Sequence, residues 1–261
     1  MNTLYLKHRL VASPFGAKLL ALRHNLSKLN YLKHPELALL REEEVMMRSC
    51  LVDHLRSDSV CVDVGAHIGS VTQLFRTAAP EGRHILVEAS PSKAKWLRTA
   101  FPNYPVHQKA VSDTEGQVSF YENIDRPGYS SLGNRGSRGR LVEIVTDCTR
   151  LDTLLVNEDR IDLIKIDVEG FEYSVVRGAA ETLSRFRPTV IFEAGAAADK
   201  EIDNESYLKL FRLFSEQLDY DIRPIFGWKF NKPPISEQEF MACRTYPFLA
   251  FNFVALPRER P

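Results

Sequence analysis

The chain has 261 residues, 44% of them hydrophobic and 26% charged, and its 34 Lys plus Arg are matched by 34 Asp plus Glu. That length allows a full buried core in one large domain, the composition is that of an ordinary globular protein, and the charge balance argues against a nucleic acid partner. Cys50, Cys61, Cys148 and Cys243 show no C-x-x-C or metal-ligand spacing, so they read as reduced thiols and point to a cytoplasmic protein.

Residues 1–35 carry six Lys or Arg, three His and no acid, with leucines at roughly helical spacing. This predicts a helical arm, which either packs with a solvated basic face or meets a membrane surface or another anionic partner. Lys18 and Arg23 interrupt the longest apolar run, Leu10 to Leu26, so no membrane span is expected, and no signal peptide is convincing. Glu36 to Arg56 reads as a second amphipathic helix, giving a helical extension over 1–57 before a domain over 58–261. The oligomeric state is left open, a homo-oligomer included.

From Val60 onward strands and helices alternate, the pattern of a doubly wound, mostly parallel sheet. The strand Val60 to Asp63 runs into a turn bounded by Gly65 and Gly69, then a helix over Ser70 to Ala79 that stops at Pro80 and Gly82. The next strand, from His84, ends on Glu88, and Pro91 starts a helix to Phe101. A third strand is expected over Val106 to Val111 and a short extra one over Gln117 to Tyr121. Asn123 to Arg140 holds four glycines and four arginines with almost no apolar residue, which fits either a functional lid or a disordered insertion.

Further on, a strand is expected at Leu141 to Thr146, a short helix over Leu151 to Val156, and a buried strand ending in Asp167, Glu169 and Glu172 before a helix to Phe186. Pro188 to Phe192 makes another apolar strand, closing on Glu193. The tail reads as a helix (Glu205 to Gln217), a strand (Tyr220 to Phe226), a proline-rich loop and a last strand (Phe248 to Leu256), the two strands antiparallel.

The glycine turn narrows the cofactor. A dinucleotide fingerprint needs a central glycine where the pyrophosphate approaches, and this chain has His67 there. The acid for a ribose is kept, since Glu88 follows Gly69 by 19 residues. A glycine turn and a ribose acid without a phosphate grip suit a nucleoside lacking phosphate, and S-adenosylmethionine is the commonest of these. Ligands of open α/β sheets bind beyond the carboxyl ends of the strands. Asp63, Glu88, Asp167 and Glu193 all lie at such ends, although any one of them could simply cap a helix.

The motifs Val62-Asp63-Val64-Gly65-Ala66-His67-Ile68-Gly69, Val87-Glu88, Ala110-Val111-Ser112-Asp113 with Gly116, and Ser130-Ser131-Leu132 together resemble the FkbM-type S-adenosylmethionine-dependent methyltransferases. So do Leu151 to Leu155, the block Ile164 to Glu172, and Pro188 to Glu193. The chain departs from the usual pattern at His67, where Asn is usual, and at Ala89, where Pro is usual. The resemblance implies a class I (Rossmann-like) α/β fold with a seven-stranded sheet of order 3-2-1-4-5-7-6. It also implies methyl transfer, usually to a hydroxyl oxygen of a sugar, glycan or polyketide-like small molecule.

On this reading the cofactor residues are Asp63, Gly65, His67, Gly69, Glu88, Asp113 on the adenine side, and Asp167. An alcohol is a weak nucleophile at neutral pH, so a carboxylate base is expected, with Asp167 first and Glu169 and Glu193 in reserve. Asp167 could instead only orient the methionine amino group or cap a helix. Asp167 and Glu193 could also hold a divalent metal, but no His accompanies them at ligand spacing and the motif does not demand one, so no metal is assigned. The non-enzymatic alternative is a catalytically silent binding or scaffold protein on the same fold.

Overall fold

A computed structural model describes residues 38–123, 132, 141–195 and 204–259. In chain order its strands are β1 (Cys61–Val64), β2 (His84–Val87), β3 (Val106–His107), β4 (Ala110–Val111) and β5 (Gly116–Asn123). They continue with β6 (Leu141–Thr149), β7 (Leu163–Ile166), β8 (Thr189–Glu193), β9 (Tyr220–Pro224) and β10 (Asn252–Pro257). The helices are α1 (Ala38–His54), α2 (Ser70–Ala78), α3 (Pro91–Ala100), α4 (Leu151–Leu154) and α5 (Glu172–Arg177). After them come α6 (Ala180–Phe186), α7 (Asn204–Arg212), α8 (Ile225–Lys229) and α9 (Glu237–Cys243).

The main sheet has the order β3-β2-β1-β7-β8-β10-β9. Counted along this sheet alone, that is 3-2-1-4-5-7-6, the class I methyltransferase order. β1 pairs in parallel with both β2 and β7, and β10 alone is reversed, antiparallel to both β8 and β9. The central strands are mostly apolar because both faces are covered, with Asp63, His84 and Lys165 as buried polar exceptions. Cys61, Leu163, Ile191 and Val254 pack with Met47, Leu51 and Phe75 on one side. Their neighbours Val62, Ile164, Val190 and Phe253 pack with Leu183, Leu210 and Phe214 on the other. Successive residues of a strand face opposite ways, so a sheet between two helix layers has no polar phase.

Several boundaries differ from expectation. The single strand foreseen over Val106 to Val111 is broken in two: β3 stays at the edge of the main sheet, while β4 joins β5 and β6 in a separate three-stranded sheet. The helix to Phe186 is interrupted at Gly178, where a Cβ would stand 2.1 Å from the Ser112 carbonyl oxygen, so close packing of β4 on this corner requires glycine. α7 continues as a π-helix, Leu213–Gln217, rather than as α-helix. Pro224 ends β9 early and starts α8. The loop past Pro234 contains α9, whose start is a capping box of Ser236 and Glu239 that went unread in the sequence.

α1 packs on α2 and α8. Its Glu43 accepts hydrogen bonds from the Phe251 and Asn252 amides and from Asn252 Nδ2, fastening the start of β10. All four cysteines are buried and unpaired. Among the described residues no helix is long and apolar enough to cross a membrane. The basic arm of residues 1–35 and most of the glycine- and arginine-rich stretch Asn123 to Arg140, including Ser130 and Ser131, lie outside the described residues.

Candidate active site

The turn after β1 is built from left-handed residues. Gly65 has φ +77, His67 φ +51 and Gly69 φ +86. A Cβ on Gly65 would stand 1.8 Å from the carbonyl oxygen of Asp167, so this glycine lets the ends of β1 and β7 touch. Gly69 serves packing: its Cβ would meet the Phe101 ring at 2.2 Å. The His67 conformation accommodates this residue where the resemblance leads one to expect Asn. Asn and His are both enriched among non-glycine residues at positive φ, so the position selects for backbone geometry and either residue satisfies it.

Glu88, 5% exposed, closes this turn onto the next helix: Oε2 accepts the His67 amide at 2.8 Å and Oε1 the Ser90 amide at 2.8 Å. Burial raises its pKa, against the pull of Lys93 and these two amides. Lys93 lies on the inner face of α3 beside Ala94 and Leu97 and is itself buried. Desolvation lowers its pKa, while Glu88, Glu122, Glu169 and Asp167 oppose that effect. Glu122 of β5 reaches the same corner, accepting from the hydroxyls of Ser90 and Ser92.

On the other side of the turn the carboxyl groups gather around one buried lysine. Asp63 and Lys165 are register partners on β1 and β7. Asp63 accepts from Thr72 Oγ1 of α2 at 2.5 Å, and burial pushes its pKa up to about 6. Lys165 is 1% exposed, with Nζ 3.7 Å from Asp167 Oδ2. Burial pulls the ammonium down, but Asp167, Glu193, Asp63 and Glu172 outweigh it and hold the pKa above the ordinary lysine value. Desolvation, reinforced by Asp167, Glu193 and Glu172, pushes Glu169 up to about 9. Glu193 is raised for the same first reason, and it shares a hydrogen bond with Asp167.

These groups meet at a cavity of about 280 Å³ beyond the carboxyl ends of β1, β2 and β7. Asp63, Gly65, His67, Glu88, Asp167 and Glu169 all line it. Three expected site residues do not: Gly69 packs under α3, Glu193 stands behind Asp167, and Asp113 accepts from Ser112 Oγ and pairs with Arg177 at 3.1 Å.

The cavity also holds residues that sequence reasoning passed over, namely Lys93, Lys109, Phe120 and Lys165. Lys165 carried a usable signal, since a lysine at the centre of an apolar strand needs carboxylate partners. Lys93 had a weaker one in its place on the apolar face of a helix. Among the described residues no group of three or more His, Cys, Asp or Glu is arranged to hold a metal ion.

The model of the family described as the methyltransferase FkbM domain matches residues 63–222. A curated relative, the 2-O-methyltransferase NoeI of Sinorhizobium fredii, is 27% identical over 150 residues, covering 51% of this chain and 62% of that protein. The chain therefore matches less than two thirds of that relative's length. A solved methyltransferase FkbM from Methylobacillus flagellatus is 18% identical with TM-score 0.49, covering 77% of this chain and 44% of that one. The plantazolicin methyltransferase BamL, solved with a triazolic desmethylPZN analogue and SAH, is 8% identical with TM-score 0.43, covering 97% of this chain and 95% of that one.

Proposed function

The chain belongs to the FkbM methyltransferase family, and from that premise we propose that it is an S-adenosylmethionine-dependent O-methyltransferase acting on a hydroxyl of a sugar, glycan or polyketide-like acceptor. The observation that carries the reading is that Glu88 and Asp167 line one cavity on either side of the Gly65 turn. The similar protein NoeI is a 2-O-methyltransferase, which supports an oxygen acceptor.

The residues present suit this cofactor. Each Glu88 oxygen is engaged by one backbone amide and keeps a lone pair for a ribose hydroxyl. The Gly65 turn allows close backbone approach, and the carboxylates of Asp63 and Asp167 in the cavity wall complement a cationic ligand. When bound, S-adenosylmethionine supplies a methyl group already activated on a sulfonium.

The protein's own part is then alignment and removal of one proton. Asp167 takes the proton from the acceptor hydroxyl as the oxygen attacks, and the Lys165 ammonium 3.7 Å away balances the charge there. Glu169, held up to about 9, keeps its proton at neutral pH and serves as a hydrogen-bond donor instead. Glu193, also raised and outside the lining, supports Asp167 from behind.

The test is calorimetric titration with S-adenosylmethionine, followed by a screen of glycans and hydroxylated natural products with labelled methyl donor. Binding and labelled product are expected. Absence of binding would overturn the proposal, and binding with no product from any hydroxylated acceptor would remove its O-methyltransferase part.

A further inference from the structure

Glu169 stands in the cavity wall with φ +53, and Gly170 follows at φ +92. A glutamate seldom adopts the left-handed conformation unless its surroundings impose it. Here the restraint is Glu172, whose Oε1 accepts the amides of both Val168 and Gly170 at 3.1 Å. Glu172 is 1% exposed, and burial raises its pKa against the pull of backbone amides and of the Tyr207 hydroxyl, so its charged form depends on donors to both oxygens. The second oxygen accepts from the Tyr207 hydroxyl at 2.8 Å. The Tyr207 ring in turn lies against Arg244, whose guanidinium carbon is 4.2 Å from the ring centroid. Arg244 is fully buried, and it donates to the Gly195 carbonyl at 2.8 Å and to Asn204 Oδ1 at 3.1 Å.

We infer that Tyr207, backed by Arg244, is a positioning residue for this site: through Glu172 it holds the 168–170 turn and so sets where the Glu169 carboxyl stands in the cavity. The inference rests on the reading of that cavity as the methyl-transfer site. A buried phenol needs an acceptor whatever its role, but any backbone carbonyl would serve; here the acceptor is the carboxylate that clamps the turn. Loss of that bond leaves Glu172 with an unserved oxygen and drives it toward its neutral form. A neutral Glu172 accepts more weakly from Val168 and Gly170, and it no longer repels charge on Glu169. The groups that set the Glu169 titration are Asp167, Glu193 and Glu172, which raise it together with burial, and Lys93, which lowers it. Weakening Glu172 therefore moves Glu169 toward an ordinary carboxyl.

The test compares the full chain with Tyr207→Phe, which removes the hydroxyl and keeps the ring under Arg244. Amide hydrogen exchange at Val168 and Gly170 should quicken by roughly tenfold or more, while amides of β7 and β8 keep their protection. Carboxyl-carbon NMR of labelled glutamate, assigned with Glu169→Gln, should show the Glu169 titration falling by about one pH unit or more. A folded Tyr207→Phe with a lower melting temperature but unchanged exchange and titration would overturn the inference, leaving Tyr207 as core filling. Should that variant not accumulate as folded protein, the same two readouts are taken on Glu172→Gln, where unchanged exchange at Val168 and Gly170 and an unchanged Glu169 titration would equally overturn the inference, because Tyr207 would then have no charged carboxylate to act through. Calorimetry with S-adenosylmethionine on wild type separates the two readings: no binding sinks the proposed function, while exchange and titration still decide the role of Tyr207.

Discussion

Replacing Glu88 by alanine separates the two tasks this residue is given, tying the turn to α3 and holding a ribose. Its oxygens accept the His67 and Ser90 amides, each at 2.8 Å, and the side chain is 5% exposed. Losing the acceptor for two buried amides costs about 1–3 kcal/mol each, less whatever water entering the cavity restores, so about 2–4 kcal/mol of stability should go. Loss of hydrogen bonds to a charged group should weaken S-adenosylmethionine binding by about 1.5–3 kcal/mol, a rise in Kd of roughly 10- to 150-fold. Urea unfolding reads the first quantity. Calorimetric titration well below the unfolding midpoint reads the second on a fully native population, so the two do not mix. A variant that loses stability but binds the cofactor within about twofold of wild type would refute the ribose assignment and leave Glu88 as a structural tie.

Three further outcomes are expected. Gly65→Ala places a Cβ 1.8 Å from the Asp167 carbonyl oxygen at φ +77, so urea unfolding should show a loss of at least about 3 kcal/mol; a loss below about 1 kcal/mol would refute the close contact of β1 and β7. Asp167→Asn keeps shape but not basicity, so turnover on the acceptor found by screening should fall by about 100- to 10,000-fold with cofactor affinity little changed, and wild-type turnover would remove Asp167 as the base. Glu169 titrates at about 9 in the folded chain against 4.5 unfolded, so the native state keeps a proton that the unfolded chain releases and stability declines as pH rises across that window. Thermal unfolding from about pH 5 to about pH 9 should show this decline in wild type and a shallower one in Glu169→Gln, and equal slopes would refute the raised carboxyl.

The sheet was legible because its strands are short, apolar and punctuated by Gly, Pro and acids, and such runs have one economical arrangement once helices alternate with them. Residues 106–111 were misread because four residues cannot reveal which sheet they join; that depends on pairing with β6, some forty positions away. α9 was hidden in a proline-rich stretch, and its capping box of Ser236 and Glu239 was the available clue. Asp63, Gly65, His67, Glu88, Asp167 and Glu169 line one cavity because the ends of parallel strands converge there. Asp113 was assigned by motif position alone, while the fold turns it toward Arg177.

The least legible part was the support of the site, for a physical reason. Strand ends and glycine turns announce themselves locally, but a hydrogen bond between Glu172 and Tyr207 spans 35 residues and leaves no spacing to read. Lys165 signals that it needs carboxylate partners but not which ones, because they come from β1 (Asp63), β8 (Glu193) and its own stretch (Asp167 and Glu172). In such a cluster no carboxyl has an intrinsic role. Burial and its neighbours' charges raise Glu169, two residues from Asp167, which suits it to the donor role proposed for it, while Lys165 beside Asp167 favours the charged form that the proposed base needs. The division of labour among these acids therefore belongs to the packing around Lys165 and the 168–170 turn.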